Sequence, residues 1–178
     1  MMKKSTRPFL NGLQIRQMVL TGLLFAVVLV LSILENQLPM PVPVPGVKLG
    51  LSNIVVMYSL FFVGKKQAFL LAVLKSLFVF MTRGAVAALL SLCGGVLSIL
   101  MMTILLLVFK DKISYLILSI AGAVFHNVGQ FIAICLLYTS LNLWVYLPVL
   151  LISGVIAGVA TSTLLKFSLP ALQRVGLR

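Results

Sequence analysis

Acidic residues are almost missing from this chain. Glu35 and Asp111 are the only two in 178 residues, against 14 Lys and Arg, for a net charge of +12. Two carboxylates far apart in sequence make paired acid–base catalysis hard to build. One histidine and two cysteines do not supply the three or four converging ligands of an ordinary zinc centre, so no metal site is expected. The pattern G-x-x-x-x-G-K-[ST] is absent, which removes ATP hydrolysis by a P-loop. Cys93 and Cys135 fall inside apolar runs, where they read as small core residues rather than a disulfide. Charged residues of both signs make up only 9% of the chain, against about a quarter in an ordinary soluble domain.

What fills the chain instead is apolar. Hydrophobic residues make up 62% of it and the mean hydropathy is +1.23. So much apolar surface cannot be hidden inside one small globule, so the chain reads as an all-α integral membrane protein. A spanning helix needs about 20 mostly apolar residues. Six runs are marked out: Gln17–Glu35, Leu49–Val63, Gln67–Met81, Gly84–Phe109, Ile113–Tyr138 and Leu143–Phe167. The first reads as a span and not a cleaved leader, since no small-residue cleavage site precedes Glu35. The short second and third runs, split by Gly64-Lys65-Lys66, admit a re-entrant hairpin. That would leave two lysines in hydrocarbon at about 2.5–3.5 kcal/mol each, so two crossings are preferred.

Charge sets the orientation. With the N-terminus inside, Lys3, Lys4, Arg7, Arg16, Lys65, Lys66, Lys110, Lys112, Lys166, Arg174 and Arg178 all fall on the cytoplasmic side. Lys48 and Arg83 fall outside, and Lys75 lies within helix 3. Both termini are therefore expected in the cytoplasm of a multi-pass protein. The cations are dispersed over every inside segment, which argues against nucleic-acid binding and for contact with anionic lipid. One membrane domain, 1–178, is expected. It comprises a basic N-terminal segment (1–16), a Pro-rich outer loop (36–48) and a basic tail (169–178).

Runs two and three, at 15 residues each, would cover only about 22 Å of a ~30 Å core. Their shared lysine turn pins them inside, so their outer ends are expected to stop short and leave an outward pocket. Over it would lie Pro39-Met40-Pro41-Val42-Pro43-Val44-Pro45-Gly46, an extended, stiff segment that is either a lid or a rigid spacer.

Ionisable and amide groups inside a membrane are expensive. Here Lys48, Asn53, Lys75, Arg83, His126, Asn127 and Gln130 share the outer half with Glu35. Surplus cations with amides and a histidine suit a small anionic or polar solute. Alternative roles exist for each: Lys75 paired with Glu35 or snorkelling, Lys48 and Arg83 interfacial, and His126, Asn127 and Gln130 as a helix-packing cluster. Small residues form ridges at Gly84, Ala88, Ser91, Gly95 and Ser98, at Gly154, Gly158 and Ser162, and at Gly22 and Ala26. Such ridges serve close packing within the bundle or docking of another membrane subunit, the latter best at Gly22 and Ala26.

The stretches Pro-Val-Pro-Gly-Val-Lys-Leu-Gly-Leu-Ser-Asn (43–53), Leu-Ser-Leu-Cys-Gly-Gly (90–95), Ala-Gly-Ala-Val-Phe-His-Asn-Val-Gly-Gln (121–130) and Tyr-Leu-Pro-Val-Leu-Leu-Ile-Ser-Gly (146–154) resemble one bacterial membrane family. It is the heptaprenyl diphosphate synthase component I, or Gx transporter, family, and the resemblance covers roughly residues 18–168. That family is similar to the substrate-binding S components of energy-coupling-factor transporters. The resemblance implies six helices, an outward pocket roofed by the loop after helix 1, and docking of a membrane coupling subunit through small residues of helix 1. Polyprenyl diphosphate synthases share aspartate-rich Mg²⁺-binding motifs, whereas this chain has Asp111 alone, so it is not expected to be an enzyme. No cofactor is implied.

The reading reached is a transport subunit in the bacterial cytoplasmic membrane. It would capture a vitamin, a flavin, an isoprenoid or quinone precursor, or another small anionic or polar solute. The site would be Lys48, Asn53, Lys75, Arg83, His126, Asn127 and Gln130. Gly22, Ala26, Gly154 and Gly158 would dock a coupling subunit served by cytoplasmic ATPases. The rival reading is a non-catalytic membrane subunit or scaffold for polyprenyl diphosphate or quinone synthesis, or for flavin-linked electron transfer.

Overall fold

A computed structural model of the chain describes residues 12–37, 50–138 and 143–174. Among them there are no strands and six α-helices: α1 (Gly12–Gln37), α2 (Leu51–Phe62), α3 (Lys65–Arg83), α4 (Ala85–Phe109), α5 (Tyr115–Leu137) and α6 (Leu147–Arg174). Short 3₁₀ turns at Lys110–Lys112 and Leu143–Tyr146 precede α5 and α6. The Pro-rich loop, including Lys48, lies outside the described residues.

Glycines set the boundaries of the middle helices. Gly84, at φ +85°, ends α3 and starts α4, a backbone conformation that side chains resist. Gly50, at φ +71°, does the same at the start of α2. Four stretches are long and apolar enough to cross a membrane: Gln14–Gln37, Ala85–Phe109, Tyr115–Leu137 and Trp144–Phe167. The other two helices differ from each other. α2, at 12 residues, covers only about 18 Å.

The expectation that α3 also stops short is corrected. It has 19 residues and covers about 28 Å, because the helix is bounded by Gly64 and Gly84 rather than by the apolar run inside it. Its cations Lys65, Lys66, Lys75 and Arg83 set it apart from the four long apolar helices. α6 likewise runs on to Arg174, into the segment expected to be a tail.

The helices pack in sequence, α3 on α4, α4 on α5 and α5 on α6, while α2 lies among α1, α3 and α6. On α1 the buried residues Thr21, Leu24, Val28, Ser32 and Glu35 recur every three or four positions. The opposite face leaves Val19, Leu23 and Val30 exposed, as lipid-facing positions would be. Where two helices are both lipid-soluble, close backbone approach has to hold them together. At Gly129 a Cβ would fall 2.7 Å from the Cys93 carbonyl oxygen, and at Gly94 2.8 Å from that of His126. These two glycines let α4 and α5 touch backbone to backbone, next to His126.

Candidate functional site

The polar groups converge at the end of the bundle where α1 ends, α2 begins, α3 ends and α4 begins. A cavity of about 180 Å³ lies there, lined by Asn53, Lys75, Arg83, His126, Asn127 and Gln130 together with Glu35 and Asn36. Ser32, Ser52, Thr82 and Ser91 add hydroxyls, and Phe78, Val79, Ala87 and Leu90 add apolar wall. The structure thus gathers six of the seven residues proposed from sequence, the seventh being Lys48, outside the described residues.

Each polar group arrives from a different direction. Lys75 sits midway along α3, and its Nζ donates to Asn53 Oδ1 at 2.5 Å, in the first turn of α2. Because α2 begins deep, at Gly50, Asn53 meets the middle of α3 and not its end. Arg83, at the C-terminal end of α3, is exposed and marks the rim of the cavity. Glu35 is only 5% exposed, and its Oε1 accepts from the Gly50 backbone N–H at 2.5 Å. A carboxylate there satisfies a free amide at the start of α2 and complements the positive end of the helix dipole. The expected alternative of Lys75 pairing with Glu35 gives way to two separate hydrogen bonds, one for each.

On α5 the three polar residues divide. Consecutive helical residues point about 100° apart, so His126 and Asn127 cannot face the same way, while His126 and Gln130 can. Asn127 Nδ2 donates to Leu150 O at 2.8 Å and to Ser153 Oγ at 3.2 Å, tying α5 to α6. Its amide nitrogen is engaged in packing, while the side chain still borders the cavity. His126 Nε2 and Gln130 Nε2 lie 3.2 Å apart. Among the described residues, Gln130 Oε1, Ser91 Oγ and Ser32 Oγ are buried without a hydrogen-bond partner.

The four small residues proposed for docking also separate. Gly154 and Gly158 face α5 inside the chain: a Cβ at Gly158 would lie 2.5 Å from Ile120 Cα, and one at Gly154 would lie 3.0 Å from Val124 Cα. Their assignment to a partner is corrected, since the α5 backbone already occupies that face. Gly22 and Ala26 are exposed, and nothing lies within 4 Å of a Cβ at Gly22. Gly22 borders an open groove of about 470 Å³ between α1 and α3, walled by Met18, Phe25, Leu70 and Leu74. Gln67 Nε2 donates to Gln17 Oε1 at 3.1 Å beside it.

The sequence reading missed Ser32, Ser52, Thr82 and Ser91 as cavity residues and left Glu35 out of the site. Ser32 could have been found one helical turn before Glu35 on the same face, and Ser52 beside Asn53. Among the described residues no group of three or more His, Cys, Asp or Glu is placed to hold a metal.

A family model described as heptaprenyl diphosphate synthase component I matches residues 24–168, most of the chain. No match was found among curated proteins or among solved structures.

Proposed function

The chain belongs to the heptaprenyl diphosphate synthase component I family and is a membrane protein of it; from that premise we propose that it is the solute-capturing subunit of a transporter. The observation that carries this reading is the cavity itself. An otherwise apolar bundle places Lys75, Arg83, Asn53, His126 and Gln130 around one space of about 180 Å³. Polar side chains are costly in a membrane bundle unless they serve a ligand or a path. With two cations, Lys75 and Arg83, against the one carboxylate of Glu35, the cavity keeps a surplus positive charge that favours a small anion.

In this reading all six helices cross the membrane, with both termini and the lysine turns at 65–66 and 110–112 in the cytoplasm. The cavity then opens outward, with the Pro39–Gly46 segment above it, in the manner of an energy-coupling-factor S component. Energy comes from cytoplasmic ATPases through a membrane coupling subunit docked on the exposed face of α1 at Gly22 and Ala26. The chain performs no catalysis: one of its two acids caps α2, and the other lies in the distant turn at Asp111.

The test is calorimetric binding of small carboxylates, phosphates and vitamins to the purified protein. Lys75→Ala and His126→Ala are expected to weaken whichever anion binds. Binding of every candidate at wild-type strength by both variants would remove the site.

The family description favours a second reading, a non-catalytic membrane partner of a prenyl diphosphate synthase. Affinity purification separates the two. A coupling subunit with ATPases supports transport, and a synthase alone supports the scaffold.

A further inference from the structure

The two cations of the cavity stand on one helix but at different depths. Lys75 and Arg83 are eight residues apart on α3, a rise of about 12 Å along its axis. Long side chains on a helix lean towards its N-terminus, so both heads shift the same way and the spacing persists. Lys75 is held at the floor by its bond to Asn53, while Arg83 is exposed at the rim. Both border the same cavity.

What lies between them is apolar. α3 and α4 run antiparallel from Gly84, the single residue between them, so positions equally far from Gly84 stand level. The packing bears out this register: a Cβ at Gly95, eleven residues on, would lie 3.3 Å from Ala72 Cβ, twelve residues back. By the same count Phe78 and Leu90, each six residues from Gly84, stand level with one another at mid-height. Val79 lies beside them, and Thr82 spends its hydroxyl on backbone carbonyls of its own helix. Along α3 the cavity therefore offers a cation, an apolar stretch, and a second cation.

We propose that the ligand is an elongated dianion, with an anionic group at each end of a short apolar segment. One end meets the Lys75 ammonium, which keeps two N–H donors after its bond to Asn53. The other end meets the Arg83 guanidinium, whose planar fork suits a carboxylate. The middle lies against Phe78 and Leu90. A cavity of about 180 Å³ has room for a chain of several carbons, since roughly 150 Å³ is enough to take up benzene. This proposal rests on the anion-capture reading and adds to it a second charge and a length.

The test uses the full-length protein in detergent at low salt, titrated calorimetrically with succinate, adipate, suberate and sebacate. Monomethyl suberate supplies the same chain with one charge blocked, and ω-aminooctanoate supplies it with a cation at one end. Acetate and inorganic phosphate are titrated alongside. Suberate is expected to bind about five- to tenfold more tightly than its monomethyl ester, the gain of one charge-assisted contact at a partly exposed site. Succinate, too short to reach both cations, is expected to bind like the ester. In Arg83→Gln the ratio of suberate to ester affinity is expected to fall towards one. The wild-type ratios decide the matter alone if that variant does not fold. Equal binding of suberate and its ester overturns the second anion and leaves the Lys75 site standing. Succinate binding as tightly as the longer diacids overturns the length. ω-Aminooctanoate binding as tightly as suberate puts a cation near Glu35 and overturns the dianion. Failure of every probe, acetate and phosphate included, overturns the underlying reading.

Discussion

Lys75 Nζ donates to Asn53 Oδ1 over 2.5 Å, joining the middle of α3 to the first turn of α2. The bond exists because α2 is short: its first turn lies level with the centre of its neighbour. A hydrogen bond to a charged group is worth about 1.5–3 kcal/mol. Asn53→Ala should therefore lower the stability of the detergent-solubilised protein by about that much, read from thermal melts. Lys75→Met should cost less stability, since the charge leaves with the partner, yet should lose anion binding.

Glu35 and Gly50 give the second prediction. Fourteen residues lie between them in sequence, and their contact fixes where α2 starts. Glu35→Ala should cost about 0.5–2 kcal/mol, the range for losing an N-terminal cap, and should speed amide exchange at residues 50–53. Glu35→Gln keeps an acceptor and should fall between the two. Unchanged exchange in Glu35→Ala would show that the carboxylate does not hold the helix start.

Much of the fold could be read from the chain because its punctuation is local. Gly64-Lys65-Lys66 and Lys110-Asp111-Lys112 divide the apolar runs with charge, and the observed helix boundaries follow them closely. The depth of Asn53, Lys75, Arg83, His126 and Gln130 follows from counting residues along helices, which is why they meet. Which way a side chain turns is not local. Asn127 borders the cavity as its sequence position suggests, yet its amide nitrogen is taken by Leu150 and Ser153 of α6. Gly154 and Gly158 have the spacing of a docking ridge, and the same spacing serves an internal partner. Nothing in the pattern says that α5 is that partner.

That difference between internal and external ridges yields a paired test. Gly158→Leu forces a side chain into the Ile120 backbone and should destabilise the bundle by at least about 1–3 kcal/mol. A Cβ at the exposed Gly22 meets nothing within 4 Å, so Gly22→Leu should leave the melting temperature nearly unchanged. In the transport reading Gly22→Leu nevertheless loses the coupling subunit on affinity purification. Full recovery of that subunit by Gly22→Leu would move the docking face elsewhere.

Orientation is checked by single cysteines in a protein whose Cys93 and Cys135 are replaced by alanine. A thiol introduced by Ala85→Cys, at the start of α4, should react with a membrane-impermeant reagent in intact cells. One introduced by Lys66→Cys should react only after the membrane is opened. The reverse pattern would turn the protein over and close the cavity to the outside.

The central claim is that the polar cavity holds a small anion, and native mass spectrometry of the gently purified protein tests it most directly. The account predicts that a small anionic molecule leaves the wild-type protein on activation and is missing from Lys75→Ala. The same molecule on both proteins, or none on either after incubation with the anion panel, would contradict it.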